Sequence, residues 1–141
     1  MSPPRERPLT VLLLVFLGGA LGSLAREFLV PALPAPWFWM PILTVNVLAS
    51  FLIGWLFVLR GRLSPGLTHL LVGGFCGGFS TFSQFSYELI ALADAGALLE
   101  ATVYVMLACV LGIGAAGAGE AAARRVHGSD GEARSVEELS P

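Results

Sequence analysis

The protein has 141 residues, of which 55% are hydrophobic and 13% are charged, whereas about a quarter of the residues in an ordinary soluble domain are charged. Four stretches contain no Asp, Glu, Lys or Arg, and they cover residues 9–25, 37–59, 63–87 and 101–119. Each reaches the roughly 17–25 residues that a helix needs to cross a hydrocarbon core about 30 Å thick. The composition excludes a soluble globular enzyme and predicts an all-α integral membrane protein that is not an enzyme.

The predicted elements are four transmembrane helices between two polar ends. Residues 1–8 form a short N-terminal lead, and residues 9–119 form the transmembrane domain. The expected spans are 9–29, 37–59, 67–90 and 98–119. Residues 120–141 are too polar to bury a core, so we predict that this C-terminal tail is disordered.

All eight basic residues are arginines, and their positions predict how the chain lies in the membrane. Arg26 stands alone at the end of the first span, and the other seven lie on the opposite side, at positions 5, 7, 60, 62, 124, 125 and 134. Because basic residues near span ends favour the cytoplasm, both termini are predicted to be cytoplasmic. Arg26 itself either snorkels to the interface beside Glu27 or attracts anions to a vestibule.

The third span is unusual because it concentrates glycine at the middle of the membrane. It contains two glycine pairs, at 73–74 and 77–78, followed at once by Ser80, Thr81 and Ser83. Each glycine costs about 1 kcal/mol of helix propensity relative to alanine. One interpretation is a close helix contact, and the other, which we favour, is a discontinuous helix beside a polar cavity. At such a break, carbonyls can hold a cation and a half-helix N-terminus can face an anion.

Several other polar and aromatic residues within the spans are candidates for a site. Asn46, the only Asn in the sequence, lies deep in span two, where its amide either joins helices or donates to a desolvated anion. Phe82 and Phe85 are interleaved with Ser and Gln, so electropositive ring edges and polar groups would line one passage, although the same spacing suits a packed helix face. Tyr104 in span four needs a partner for its hydroxyl.

Three segments occur in order along the chain: GGALGSLAR at 18–26, TVNVLASFLIG in span two and GFCGGFSTFSQFS at 74–86. Together they resemble the Fluc/CrcB family of fluoride channels, over nearly the whole span region. The resemblance implies an antiparallel, dual-topology homodimer of four-span chains, with a break in the third helix, two fluoride pathways and a structural sodium ion (Na+) at the dimer centre. Two inverted copies would supply the symmetry that one chain lacks.

The resemblance also implies roles for residues along the fluoride pathway. Asn46 matches the family's pore-lining asparagine, and Phe82 and Phe85 match its paired phenylalanines. Ser83 and Gln84 fall at positions of its polar track, and Tyr104 matches its span-four tyrosine. Gln84 replaces a more usual threonine and is larger than it.

A second group of implied roles concerns the dimer. Gly77 and Ser80 match the break whose backbone carbonyls, from both subunits, hold sodium, and Ser80 also replaces a more usual threonine. An antiparallel homodimer needs a chain that inserts in both orientations, which requires similar numbers of basic residues on the two sides of the membrane. Here seven arginines lie on one predicted side and one on the other. The alternative partner is therefore a homologous chain of opposite bias.

The expected function is passive export of fluoride across the plasma membrane. Hydrogen fluoride enters cells as a neutral weak acid and dissociates, and an inside-negative potential drives the anion outward by about 2.3 kcal/mol per 100 mV. The competing class is a proton-coupled exporter of the small multidrug type, which needs a membrane-buried carboxylate; Glu88 is the only acid near a hydrocarbon core. A helix-packing assembly protein is a third reading. The expected partners are fluoride, the lipid bilayer and a second chain, and no nucleic acid.

Overall fold

All regular structure in residues 7–138 is helical, as the predicted all-α class requires. The structure, a computed structural model, describes the backbone over that range and the side chains of residues 7–127. The helical elements and their bounds are α1, Pro8–Leu29; a 3-10 turn, Val30–Ala32; α2, Met40–Leu59; α3, Pro65–Thr68; a π-helical segment, His69–Cys76; α4, Gly77–Phe79; α5, Phe82–Asp94; and α6, Leu98–Glu138. Most of the lead predicted for residues 1–8 lies outside the described residues.

Three helical stretches in the described part of the chain are long and apolar enough to cross a membrane. They are Pro8–Ala32, Met40–Leu59 and Leu98–His127, and they correspond to the predicted first, second and fourth spans. The second begins at Met40 rather than at Trp37, with Pro41 in its first turn, where the missing N–H of proline costs no helical hydrogen bond. The chain is therefore an all-helical membrane protein.

The region of the predicted third span forms two helical pieces. The first covers residues 65–79 and consists of α3, the π-helical segment and α4. Ser80 (φ −75°, ψ 159°) and Thr81 (φ −147°, ψ 120°) then have extended backbone. Thr81 caps the start of the second piece, α5. Its hydroxyl accepts a hydrogen bond from the backbone N–H of Gln84 at 3.2 Å, so this N–H, which has no partner within the helix, is satisfied.

Glycine allows α1 to pack directly on the backbone of residues 65–79. A Cβ atom at Gly18 would overlap the carbonyl oxygen of Leu70, one at Gly22 would overlap that of Phe75, and one at Gly78 would overlap the backbone of Gly19. The α2–α6 contact is built in the same way, at Gly54 and Gly119. Small residues of this kind let membrane helices approach closely, and this contact fixes the position of Ser80 and Thr81 relative to α1.

The fourth helix continues beyond the predicted end of the span. The tail was predicted to be disordered from Glu120, but α6 extends through this region to Glu138. Alanine and arginine have high helix propensity, and Glu120 pairs with Arg124 one turn later at 2.7 Å, an arrangement that supports helix. Arg62 also donates a hydrogen bond to the carbonyl of His127 at 2.8 Å. Residues 139–141 lie outside the described part of the chain.

Candidate functional site

The extended residues between α4 and α5 are bound by the side chain of Asn46 on α2. The Asn46 Nδ2 donates to the carbonyl oxygen of Thr81 at 3.1 Å, and the Asn46 Oδ1 accepts from the amide of Thr81 at 2.8 Å. Thr81 has left helical geometry, so its backbone groups need partners from elsewhere. Asn46 supplies both, and one N–H of its amide remains beyond these two bonds.

Arg26 on α1 also binds backbone groups at this interruption. Its Nη1 donates to the carbonyl of Gly78 at 3.2 Å and approaches the carbonyl of Ser80 at 3.5 Å, while Nη2 pairs with Glu27 at 3.4 Å. Ser23 adds a hydrogen bond from its hydroxyl to the Gly78 carbonyl at 3.3 Å. Of the two interpretations given above, the pairing with Glu27 is present, and the guanidinium also holds backbone at the end of α4.

Two cavities meet at this interruption, with Thr81 in the wall of both. The first, which we call the Arg26 cavity, has a volume of about 370 Å³ and includes the predicted site residues Arg26, Ser83 and Gln84. The second, the Asn46 cavity, has a volume of about 360 Å³ and includes Asn46, Ser80, Phe82 and Phe85. Seven of the nine predicted site residues therefore line these two cavities, which share Thr81, whereas Gly77 and Tyr104 line neither.

The two phenylalanines differ in their surroundings. Phe82 is 80% exposed, whereas Phe85 is half-buried and lies against Tyr104, with ring centroids 4.9 Å apart and an edge-on geometry. The rings of Phe82 and Phe85 are 5.9 Å apart.

Tyr104 is fully buried and lines neither cavity. Its hydroxyl donates to Glu88 at 2.7 Å, and Glu88, only 3% exposed, also lines the Arg26 cavity. Tyr104 stacks on Trp39 at 4.8 Å, and the Nε1 of Trp39 donates to Glu100 at 2.7 Å. Sequence reasoning placed Glu88 near the end of the third span and did not place Trp39 or Glu100 at the site. The available signal was Glu100, an acidic residue in the first turn of a transmembrane helix.

The backbone at Gly77 and Ser80 is compatible with a role as cation ligands. In an uninterrupted helix the amide of Thr81 would donate to the carbonyl of Gly77, but here it donates to Asn46. A Cβ at Gly77 would meet nothing within 4 Å, so this backbone faces open space. The Ser80 carbonyl is 3.5 Å from Arg26, and a carbonyl oxygen has a second lone pair. Carbonyl oxygens are ligands that suit a hard cation such as sodium.

The fold and these cavities define a small helical membrane protein in which polar groups and phenyl rings surround an interrupted helix. The chain belongs to the family described as CrcB-like protein, Camphor Resistance (CrcB), which it matches over residues 13–120. The expected family is therefore confirmed.

Two curated relatives are similar over most of their length, and a third is similar over less than half of its length. The chain is 44% identical over 112 residues to a protein of Ruegeria pomeroyi named fluoride-specific ion channel FluC, covering 79% of this chain and 89% of the relative. It is 42% identical over 117 residues to a protein of the same name from Leptospira interrogans, covering 77% and 90%. A Brucella abortus protein named fluoride-specific ion channel FluC 1 is 39% identical over 110 residues, covering 74% of this chain and 41% of the relative.

Proposed function

We propose that this protein is a fluoride-selective ion channel that lowers cytoplasmic fluoride by passive, potential-driven export through the plasma membrane. The observation that carries the proposal is the pair of cavities that adjoin at the α4–α5 interruption, where Asn46 binds the Thr81 backbone. Relatives that share about 40% of their sequence with it carry the name fluoride-specific ion channel. The protein is a channel and not an enzyme.

The groups around the interruption suit a small, strongly hydrated anion. The first amides of α5 point toward its N-terminal end, where a helix has excess positive charge, and Asn46 keeps one amide donor for an ion in its cavity. The ring edges of Phe82 and Phe85 add weak positive potential without a fixed charge that would trap the anion. Together these groups would replace the water that fluoride loses, as carbonyls do for cations in other filters.

The polar residues of the Arg26 cavity extend the pathway on the other side of Thr81. The hydroxyls of Thr81 and Ser83 lie 3.2 Å apart, and Gln84 and Arg26 share the wall with them. We assign Ser83 and Gln84 to a track of polar groups, with Arg26 attracting anions at its mouth. Tyr104 supports this track through its hydrogen bond to Glu88.

A second copy of the chain is part of the proposal. The exposed Phe82 and the open surface at Gly77 lie on either side of the interruption, so an inverted copy packed there would cover both. In this antiparallel homodimer, the carbonyls of Gly77 and Ser80 from the two chains would hold a structural sodium ion, whose positive charge would offset the repulsion among the carbonyl oxygens brought together at the centre. Relatives with numbered names, such as FluC 1 and FluC 2 in Brucella species, make a heterodimer the alternative.

Labelling of the chain termini in intact cells distinguishes the two assemblies. Cysteine tags would be placed at each end of a chain in which Cys76 and Cys109 are replaced by alanine, and the cells would express no homologue. Substantial labelling of both ends from outside supports dual topology and the homodimer. Labelling of neither end, together with fluoride resistance that appears only when a second homologue is added, supports the heterodimer and contradicts the homodimer.

Flux measurements distinguish the channel from the exporter alternative. Exchange with protons would require a buried carboxylate, and Glu88 is the candidate because it is buried and lines the Arg26 cavity. A channel passes fluoride down its electrochemical gradient without a pH gradient. An exporter would instead use a pH gradient to accumulate an organic cation in proteoliposomes, and would lose this activity on Glu88→Gln.

A further inference from the structure

Five aromatic rings form a continuous series from the start of α2 to the start of α5. In order they are Trp37, Trp39, Tyr104, Phe85 and Phe82, and successive ring centroids are 5.7, 4.8, 4.9 and 5.9 Å apart. All four separations lie within the range in which aromatic pairs attract one another. The outer end of the series is 54% exposed at Trp37, and the inner end lies in the wall of the Asn46 cavity.

Trp39 is a tightly held member of this series that lies outside the cavity wall. It is buried, its ring is stacked between Trp37 and Tyr104, and its indole N–H donates to Glu100 at 2.7 Å. Glu100 lies in the first turn of α6, where the helix dipole stabilises a carboxylate, and a hydrogen bond to a charged acceptor is stronger than a neutral one. The hydrogen bond to Glu100 and the packing on the buried Tyr104 hold the indole in one orientation.

The position of Tyr104 depends on that of Trp39. Trp39 covers one face of the Tyr104 ring at an interplanar angle of 25°, whereas Phe85 meets the ring at 63°. The Tyr104 hydroxyl is held by Glu88. Without the indole, a space of one large side chain would open beside Tyr104, which could then tilt and release Phe85 from its present orientation.

We propose that Trp39 and Glu100 are positioning residues of the ion pathway. Glu100 fixes the indole of Trp39, Trp39 fixes the ring of Tyr104, and Tyr104 sets the orientation of Phe85 in the wall of the Asn46 cavity. This inference rests on the proposed function, because it requires that fluoride passes Phe85. It assigns a part in conduction to two residues that do not line either cavity.

The test compares each substitution with a matched control in purified protein reconstituted at fewer than one dimer per liposome. Trp39→Leu is paired with Trp37→Leu, which removes a neighbouring indole that does not contact Tyr104. Glu100→Leu is paired with Glu100→Gln, which keeps an oxygen acceptor for the indole. We expect fluoride efflux per folded protein to fall about tenfold for Trp39→Leu and Glu100→Leu, and to stay near the parent rate for both controls.

A double substitution separates positioning from a purely structural role. If Trp39 acts through Tyr104, Trp39→Leu should slow efflux no further in a Tyr104→Leu background. Equal effects of Trp39→Leu and Trp37→Leu, or additive effects in the double variant, would overturn the inference while leaving the channel function intact. If Trp39→Leu does not fold, the comparison of Glu100→Leu with Glu100→Gln decides. A parent protein that passes no fluoride would overturn the proposed function and this inference with it.

Discussion

Asn46 and Thr81 are 35 positions apart in the chain, yet the side chain of the first binds both backbone groups of the second. The Asn46 amide donates to the Thr81 carbonyl at 3.1 Å and accepts from the Thr81 N–H at 2.8 Å. One side chain of α2 thus supplies the hydrogen bonds that the Thr81 N–H and C=O lose because the helix is interrupted between α4 and α5. Asn46, which we expect to contact the anion, therefore also stabilises the interrupted backbone.

This dual role changes the expected outcome of replacing Asn46. A role confined to the ion pathway would let Asn46→Leu eliminate fluoride flux without loss of stability. The structure instead leads us to expect both a loss of flux and a loss of about 1–3 kcal/mol of stability, because the Thr81 N–H and C=O are left without their partner. Thermal unfolding in detergent and efflux per folded protein measure the two effects. Ser50→Ala, which removes a hydroxyl from the same cavity, is the control, and native stability in Asn46→Leu would contradict the proposed support of Thr81.

Phe82 and Phe85 should respond differently to isoleucine, which keeps bulk but lacks a ring edge. We expect both substitutions to slow fluoride efflux, since both rings line the Asn46 cavity. Only Phe85→Ile should also destabilise the chain, by about 0.5–1.5 kcal/mol, because it loses an aromatic contact with Tyr104. If the rings merely packed the core, efflux per folded protein would be unchanged in both variants.

The guanidinium of Arg26 is expected to be required for the geometry of the interruption as well as for its charge. Arg26→Lys keeps the positive charge but cannot reproduce the planar set of donors directed at Gly78 and Ser80. If Arg26 only attracts anions, Arg26→Lys will conduct like the parent and Arg26→Gln will be slower. If it positions the backbone, as we expect, both variants will be slow and less heat-stable. Glu27→Gln, which removes the charge of the exposed partner of Arg26, will be near the parent.

The close contact between α1 and residues 65–79 predicts a sharp difference between two glycines. Gly22→Ala places a Cβ against the backbone of Phe75 and Phe79, whereas Gly114→Ala places one in open space. We expect Gly22→Ala to cost about 1–3 kcal/mol through overpacking and Gly114→Ala to leave the isolated chain as stable as the parent. The yield of folded protein on size-exclusion chromatography and its unfolding temperature test this. Equal behaviour of the two variants would contradict the observed packing.

The sequence predicted the helical class and the three helices that are long and apolar enough to cross a membrane, because charge-free stretches have few other physical explanations. It also singled out Asn46, Arg26 and Ser80, which the structure places around the α4–α5 interruption. It could not predict that Asn46 would bind Thr81, since a single polar residue in a span suits an anion and a backbone group equally well. The buried bond between Tyr104 and Glu88 and the support of Trp39 by Glu100 depend on how α2, α5 and α6 pack. The helical backbone beyond Glu120 reflects the high helix propensity of the alanines and arginines that follow the span.

Fluoride efflux from liposomes that contain the purified protein tests the central claim most directly. Liposomes loaded with potassium fluoride would be diluted into fluoride-free buffer, and valinomycin would be added to allow potassium to leave with the anion; a fluoride electrode would record release. The account predicts rapid fluoride release that requires the ionophore, continues without a pH gradient and is not matched when chloride replaces fluoride. Release no faster than from protein-free liposomes, or equal release of chloride, would contradict it.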